Sequence, residues 1–178
     1  MNFNTNRQPL ATYIIIAITV VAYYFTSTNS FALSKYGLNI NFIAYPAYWQ
    51  PLTTMLTHGG LMHLGMNMVV LFQFGSIIEH FRGAKFTIFL YIVGGLLTSL
   101  VSFIYIYYFN NHVNLVGASG AISVLLGWMA QKDPYNRKGL IVAILVISFA
   151  PLLLGVSVAW YAHLIGFGVG WLVAKFLR

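Results

Sequence analysis

Residues 110–133 read NNHVNLVGASGAISVLLGWMAQKD. Asparagines and small residues lead up to Ser119, about 13 mostly apolar or small residues run from there to Gln131, and the charged pair Lys132 and Asp133 ends the run. As a helix, 119–131 is about 20 Å long. The hydrocarbon core of a bilayer is about 30 Å thick. With its charged end at one membrane face, such a helix starts roughly 10 Å short of the other face. The loop before it, 110–118, must then dip into the membrane, which irregular backbone does only where it is buried in protein or lines a water-filled cavity. Ser119 stands at the bottom of that dip.

The rest of the chain supports a membrane setting. Of 178 residues only 6% are charged, 60% are apolar, and the mean hydropathy is +0.80. An average soluble domain is about 25% charged, so a soluble globular enzyme and a disordered chain are both excluded. Apolar segments predict helices over 10–28, 60–79, 85–109, 119–131, 139–156 and 158–177. Six spans of about 20 residues need about 120, which leaves room for loops but not for a second soluble domain. The expected architecture is an all-α polytopic membrane protein, a single domain over 1–178. It is a six-helix bundle around a short central fourth helix. The first segment has no small-residue cleavage site and reads as a retained span.

The net charge of +7 comes from scattered basic residues, not from a nucleic-acid-binding cluster. Arg7, Arg82, Lys85, Lys132, Arg137, Lys138, Lys175 and Arg178 all fall on one side of a six-span layout, and only Lys35 falls on the other. The positive-inside rule puts both termini in the cytoplasm. The connection 29–57 is then extracytoplasmic and, with its Tyr, Phe, Pro and Trp, is expected to lie in the interface.

Composition also restricts the chemistry. The two acidic residues, Glu79 and Asp133, sit at the cytoplasmic ends of their helices. A carboxylate dyad needs two acids in one site, and a His-Glu-x-x-His zinc site needs a Glu beside its first His. Absence of Cys removes thiol chemistry and Cys-ligated metals. No cofactor and no metal are expected.

Ser119 lies in Gly117-Ala118-Ser119-Gly120, at a helix start where backbone N–H groups and the dipole favour developing negative charge. A packing turn is the plain alternative for such a motif. His163 lies about five residues into the sixth segment, in Ala162-His163-Leu164-Ile165-Gly166, and Gly166 with Gly170 reads as a close helix contact. His63 and Asn67 share one face of the second segment. These residues reach similar depth from three helices, and an intramembrane His points to function. Neutral His163 can take the Ser119 proton and return it to a leaving group. With no acid on that side, the arrangement is a Ser–His dyad. His58, His63 and Asn67 are too few ligands for a metal and suit oxyanion donation, with His58 supporting its neighbours.

The set His58, His63, Asn67, Gly117, Ser119, Gly120, Ala162, His163, Gly166 and Gly170 resembles, in spacing and helix order, the rhomboid family of intramembrane serine proteases. The resemblance covers roughly 10–177. It implies Ser119 as nucleophile and His163 as general base, with His63, Asn67 and the Ser119 N–H as the oxyanion hole. It implies an outer loop, 29–57, half embedded beside the site, and a mobile fifth helix where a substrate helix enters. The expected partners are single-span membrane proteins and the lipid bilayer, in what looks like a bacterial cytoplasmic membrane. A noncatalytic rhomboid-like protein that binds membrane helices is the alternative, and a small channel or transporter using His63 and His163 as a proton path is a third. Glu79 and Arg82 resemble a family charge cluster, readable as a local pair. Two departures stand out: Gln50 follows Trp49 where relatives often carry Arg, and the soluble N-terminal domain of some bacterial relatives is not expected here.

Overall fold

The computed structural model describes residues 8–109 and 112–177. Arg7 and Arg178, used above for topology, and Asn110 and Asn111 of the dipping loop lie outside the described residues. Within them the regular elements are helices: α1 (Leu10–Ser27), α2 (Ala32–Tyr36), α3 (Asn41–Ala44), α4 (Gln50–Thr53), α5 (Leu61–Arg82), α6 (Ala84–Phe109), α7 (Ser119–Lys132), α8 (Arg137–Leu153) and α9 (Trp160–Phe176). A single antiparallel bridge joins Leu38 and Leu115.

Helices α1, α5 and α6, of 18, 22 and 26 residues, are long and apolar enough to cross a membrane. Their polarity is inverted relative to a soluble bundle. On α1, Leu10, Ile14, Ile18, Val21 and Phe25 face outward, while Thr12 and Thr19 are buried. Thr87, Thr98, Ser99, Ser102, Ser123 and Ser148 are buried too. Small polar side chains inside and large apolar ones outside mark an integral membrane protein, whose outer surface meets lipid.

Two helix ends differ from the sequence reading. Helix α5 runs on to Arg82 and stops at Gly83, whose positive φ of 82° breaks the helix. Helix α8 ends at Leu153 rather than 156, because Pro151 sits in its last turn and Gly155 follows with φ 74°.

Helix α7 is the axle. Ala121 through Trp128, together with Ala130, are buried on every side, as expected for a helix that is apolar all round. Its tightest neighbour is α9. A Cβ added at Gly166 would strike the Gly120 carbonyl, and one at Gly170 the Val124 carbonyl. The two backbones therefore touch along one line, which only glycine permits.

Glu79 also has partners far from its neighbour Arg82 in the chain. Its carboxylate reaches across to α1 and accepts from Ala11 N–H, Thr12 N–H and Thr12 Oγ1, each at 2.8 Å. Helix α1 has Pro9 before it and no side-chain cap of its own, so Glu79 satisfies first-turn donors that would otherwise be orphaned. The Arg82 guanidinium lies over Phe86 at 4.6 Å and Trp128 at 5.7 Å.

The connection between α1 and α5 is built round amides. Gln50, 1% exposed, accepts from Asn39 N–H at 3.2 Å and donates to Ser34 O at 3.3 Å. Asn39 Nδ2 donates to Asn114 Oδ1 at 2.8 Å. Leu38 and Leu115 exchange both backbone hydrogen bonds at 2.9 Å, and Gly117 N–H donates to Thr54 O at 2.9 Å. This loop therefore grips the strand of backbone that delivers Ser119. Gln50 holds this loop with neutral amide bonds.

Candidate active site

The approach to Ser119 turns at Gly117, whose φ of 116° is a conformation L side chains rarely adopt. Its missing side chain also makes space. A Cβ there would lie 2.7 Å from His63 Nε2, 2.8 Å from His63 Cε1 and 3.7 Å from Ser119 Oγ. The His63 ring thus sits over Gly117, alongside Ser119, at the N-terminal end of α5.

His58, buried before α5, holds the next residue. Its Nδ1 lies 3.3 Å from Leu56 O, and its Nε2 lies 3.3 Å from Ala118 N. A carbonyl only accepts, so Nδ1 carries the hydrogen and Nε2 accepts the Ala118 N–H. Both nitrogens are used in the neutral form. Burial, and then the neighbouring His63 ring 5.1 Å away, lower the His58 pKa to about 4. Asn67 follows His63 by one turn of α5 and is buried; its Nδ2 donates to His63 O at 2.8 Å.

Helix α9 supplies His163, 7% exposed. Its Nε2 is 2.9 Å from Ser119 Oγ. The Gly166–Gly120 approach makes that distance possible, since His163 is one helical turn before Gly166 on the face that meets α7. Gly120 leaves room toward α6, where a Cβ would lie 3.2 Å from Thr98 Cγ2. A cavity of about 10 Å³ adjoins Ser119, bordered by Thr54, Thr98, Ser99 and Leu115 among others.

The residues singled out from sequence therefore fall in one place, Ala162 among those bordering the cavity. Ser119, His163, His63 and Gly117 are in mutual reach, His58 and Asn67 support the α5 end, and Gly120, Gly166 and Gly170 form the α7–α9 seam. Among the described residues no group of three or more His, Cys, Asp or Glu could hold a metal.

Sequence reasoning missed Ser148. Its Oγ lies 3.3 Å from His163 Nδ1 and 2.6 Å from Ile144 O. The signal was present but weak: Ser148 is the one hydroxyl in α8, and Leu140, Ile144 and Ser148 form the buried stripe of that helix.

Residues 45–178 match the family model described as Rhomboid domain. The chain is 31% identical over 139 residues to Rhomboid protease GluP of Bacillus subtilis (strain 168), covering 75% of this chain and 26% of that protein. It is 34% identical over 133 residues to RHOMBOID-like protein 4 of Arabidopsis thaliana, covering 70% and 33%. It is 28% identical over 145 residues to Rhomboid protease GlpG of Haemophilus influenzae, covering 71% of each. The chain thus spans only a part of the first two relatives.

Proposed function

The chain belongs to the rhomboid family, and on that premise we propose that it is an intramembrane serine endopeptidase working through a Ser119–His163 dyad. It cuts transmembrane-helix substrates near the extracytoplasmic interface. The observation that carries this reading is the 2.9 Å contact between His163 Nε2 and Ser119 Oγ, which is hydrogen-bond geometry for a base and its nucleophile.

In this mechanism Ser119 Oγ attacks the scissile carbonyl while His163 Nε2 takes its proton. The same proton then goes to the leaving amine, and a water hydrolyses the acyl-enzyme. The oxyanion faces the Ser119 N–H at the α7 start, with His63 and Asn67 as side-chain donors. The cavity beside Ser119, about 10 Å³, is on the scale of one water. A peptide bond inside a regular helix is shielded by its own hydrogen bonds, so the substrate must unwind before attack. Gly, Ser or Pro near the outer interface favour that step.

In this reading α1, α5, α6, α7, α8 and α9 are six spans, both termini are cytoplasmic, and the α1–α5 loop lies in the outer interface. The Gly117–Ser119 turn dips below that interface. Helix α8, packed mainly on α7 and α9, is the side that admits a substrate helix. The setting is a bacterial cytoplasmic membrane and the partners are single-span proteins.

The test is a fluorophosphonate probe on detergent-purified protein, wild type against S119A and H163A, with and without chelator. Labelling of wild type alone, indifferent to chelator, is expected. A folded wild type that stays unlabelled, beside an active rhomboid control, overturns the protease reading in favour of noncatalytic helix binding.

A further inference from the structure

We propose that Ser148 is the positioning residue of the dyad: it fixes His163 in the Nδ1–H tautomer, in the place where a serine protease triad carries an acid. The inference rests on the protease reading for its catalytic meaning, but its structural content does not.

Ser148 Oγ and Ile144 O are 2.6 Å apart. Two oxygens approach that closely only with a hydrogen between them, and a backbone carbonyl has none to give. The Ser148 hydrogen is therefore spent on Ile144. Toward His163 Nδ1, 3.3 Å away, Ser148 Oγ offers only lone pairs. Nδ1 must carry the imidazole hydrogen, and in a neutral ring Nε2 is then the lone-pair nitrogen. Nε2 is the atom 2.9 Å from Ser119 Oγ, so Ser119 donates and His163 accepts. The chain of donors runs from Ser119 to His163 to Ser148 to the Ile144 carbonyl, and every proton in it has one place.

That order is what the chemistry needs. The opposite tautomer would aim N–H at the nucleophile and leave no base. Proton transfer to Nε2 makes an imidazolium whose Nδ1–H still points at Ser148 lone pairs, the negative end of a hydroxyl dipole held by α8. Ser148 is fully buried, so no water competes for Nδ1 at that contact. A neutral hydroxyl orients less strongly than a carboxylate, and the expected contribution is that of one neutral hydrogen bond in the transition state, about ten-fold in rate.

The experiment compares wild type, S148A and S148T in lipid nanodiscs. It reads kcat and KM on a single-span model substrate, and the His163 tautomer by imidazole 15N NMR, assigned against H163Q. We expect wild-type His163 to be wholly Nδ1–H. S148A should show mixed tautomers and about ten-fold lower kcat, with KM within two-fold. S148T, which keeps the hydroxyl, should hold the wild-type tautomer and recover most of kcat. A single Nδ1–H tautomer in folded S148A overturns the proposal. So does a rate loss equal in S148A and S148T with the tautomer unchanged in both, which would make the site one of packing. If wild type neither cleaves nor labels, the protease reading fails by itself, and the tautomer spectra still decide the role of Ser148.

Discussion

Replacing Gly117 by alanine tests the site geometry most directly. The added Cβ would lie 2.7 Å from His63 Nε2, whereas ordinary contact begins at 3.4 Å, so the ring must retreat by about 0.7 Å. In the proposed mechanism His63 is a side-chain donor to the oxyanion. A misplacement of about 1 Å in a catalytic group costs on the order of 10²-fold, and losing one oxyanion donor costs about 10²–10³. The expected loss in kcat is therefore about 100-fold, equivalent to about 2.7 kcal/mol, with KM nearly unchanged because the donor acts on the transition state. The φ of 116° adds strain to any residue with a Cβ, about 1–2 kcal/mol. For a chain of this size that lowers the melting temperature by about 2–8 °C. The assay pairs steady-state cleavage of a single-span substrate with a melting curve of the same preparation. A G117A protein with kcat within two-fold of wild type would refute the placement of His63 over Gly117 as an oxyanion donor.

Other perturbations address separate parts of the structure. E79A orphans three donors at the start of α1, and buried bonds to a charged group contribute about 1.5–3 kcal/mol each before relaxation. The net loss should be about 3 kcal/mol, read as a fall of about 6–12 °C in melting temperature, with kcat of the folded fraction unchanged. Q50A leaves Asn39 N–H without its acceptor, while Ser34 O keeps its bond from Asn39 Nδ2 at 2.8 Å, and should cost about 2 kcal/mol, checked by melting and by protease nicking of the α1–α5 loop. His58 binds its proton near pH 4 when folded and near 6.5 when unfolded, so the unfolded state takes up more protons between those values. Its contribution is complete above pH 6.5 and is lost as pH falls toward 4, up to about 3 kcal/mol. Melting curves across that window should flatten in H58F. A substrate whose outer half is replaced by a Leu-rich helix should go uncut, and unchanged cleavage in a gel assay would sink the unwinding step.

Much of the site was legible from residues 110–133 because the physics there is one-dimensional. A short helix after a polar, small-residue approach predicts a loop that turns inward, and Ser119 marks the junction. Glycines at 166 and 170 announced a close approach, and the α7–α9 seam shows what they approach. Ser148 was hidden because α8 is apolar nearly all round, so no stripe in its sequence says which face meets α9. Gln50 stood out in the sequence beside Trp49, yet only the contacts of Asn39 and Asn114 show the amide network it joins. Glu79 was read with its neighbour Arg82, three residues on, and nothing along the chain announced its further bonds to residues 67 and 68 positions away.

By itself the sequence determined that this chain belongs in a membrane, where its long helices fall, and which serine and histidines are the candidates for its chemistry. Those properties follow from composition, hydrophobic length and residue type along the chain. Tertiary structure alone decided which proton sits on which nitrogen of His163, what caps α1, and what holds the backbone leading to Ser119. Each of these depends on the rotation of one helix against another, and in a bundle with lipid outside, apolar periodicity does not encode that angle.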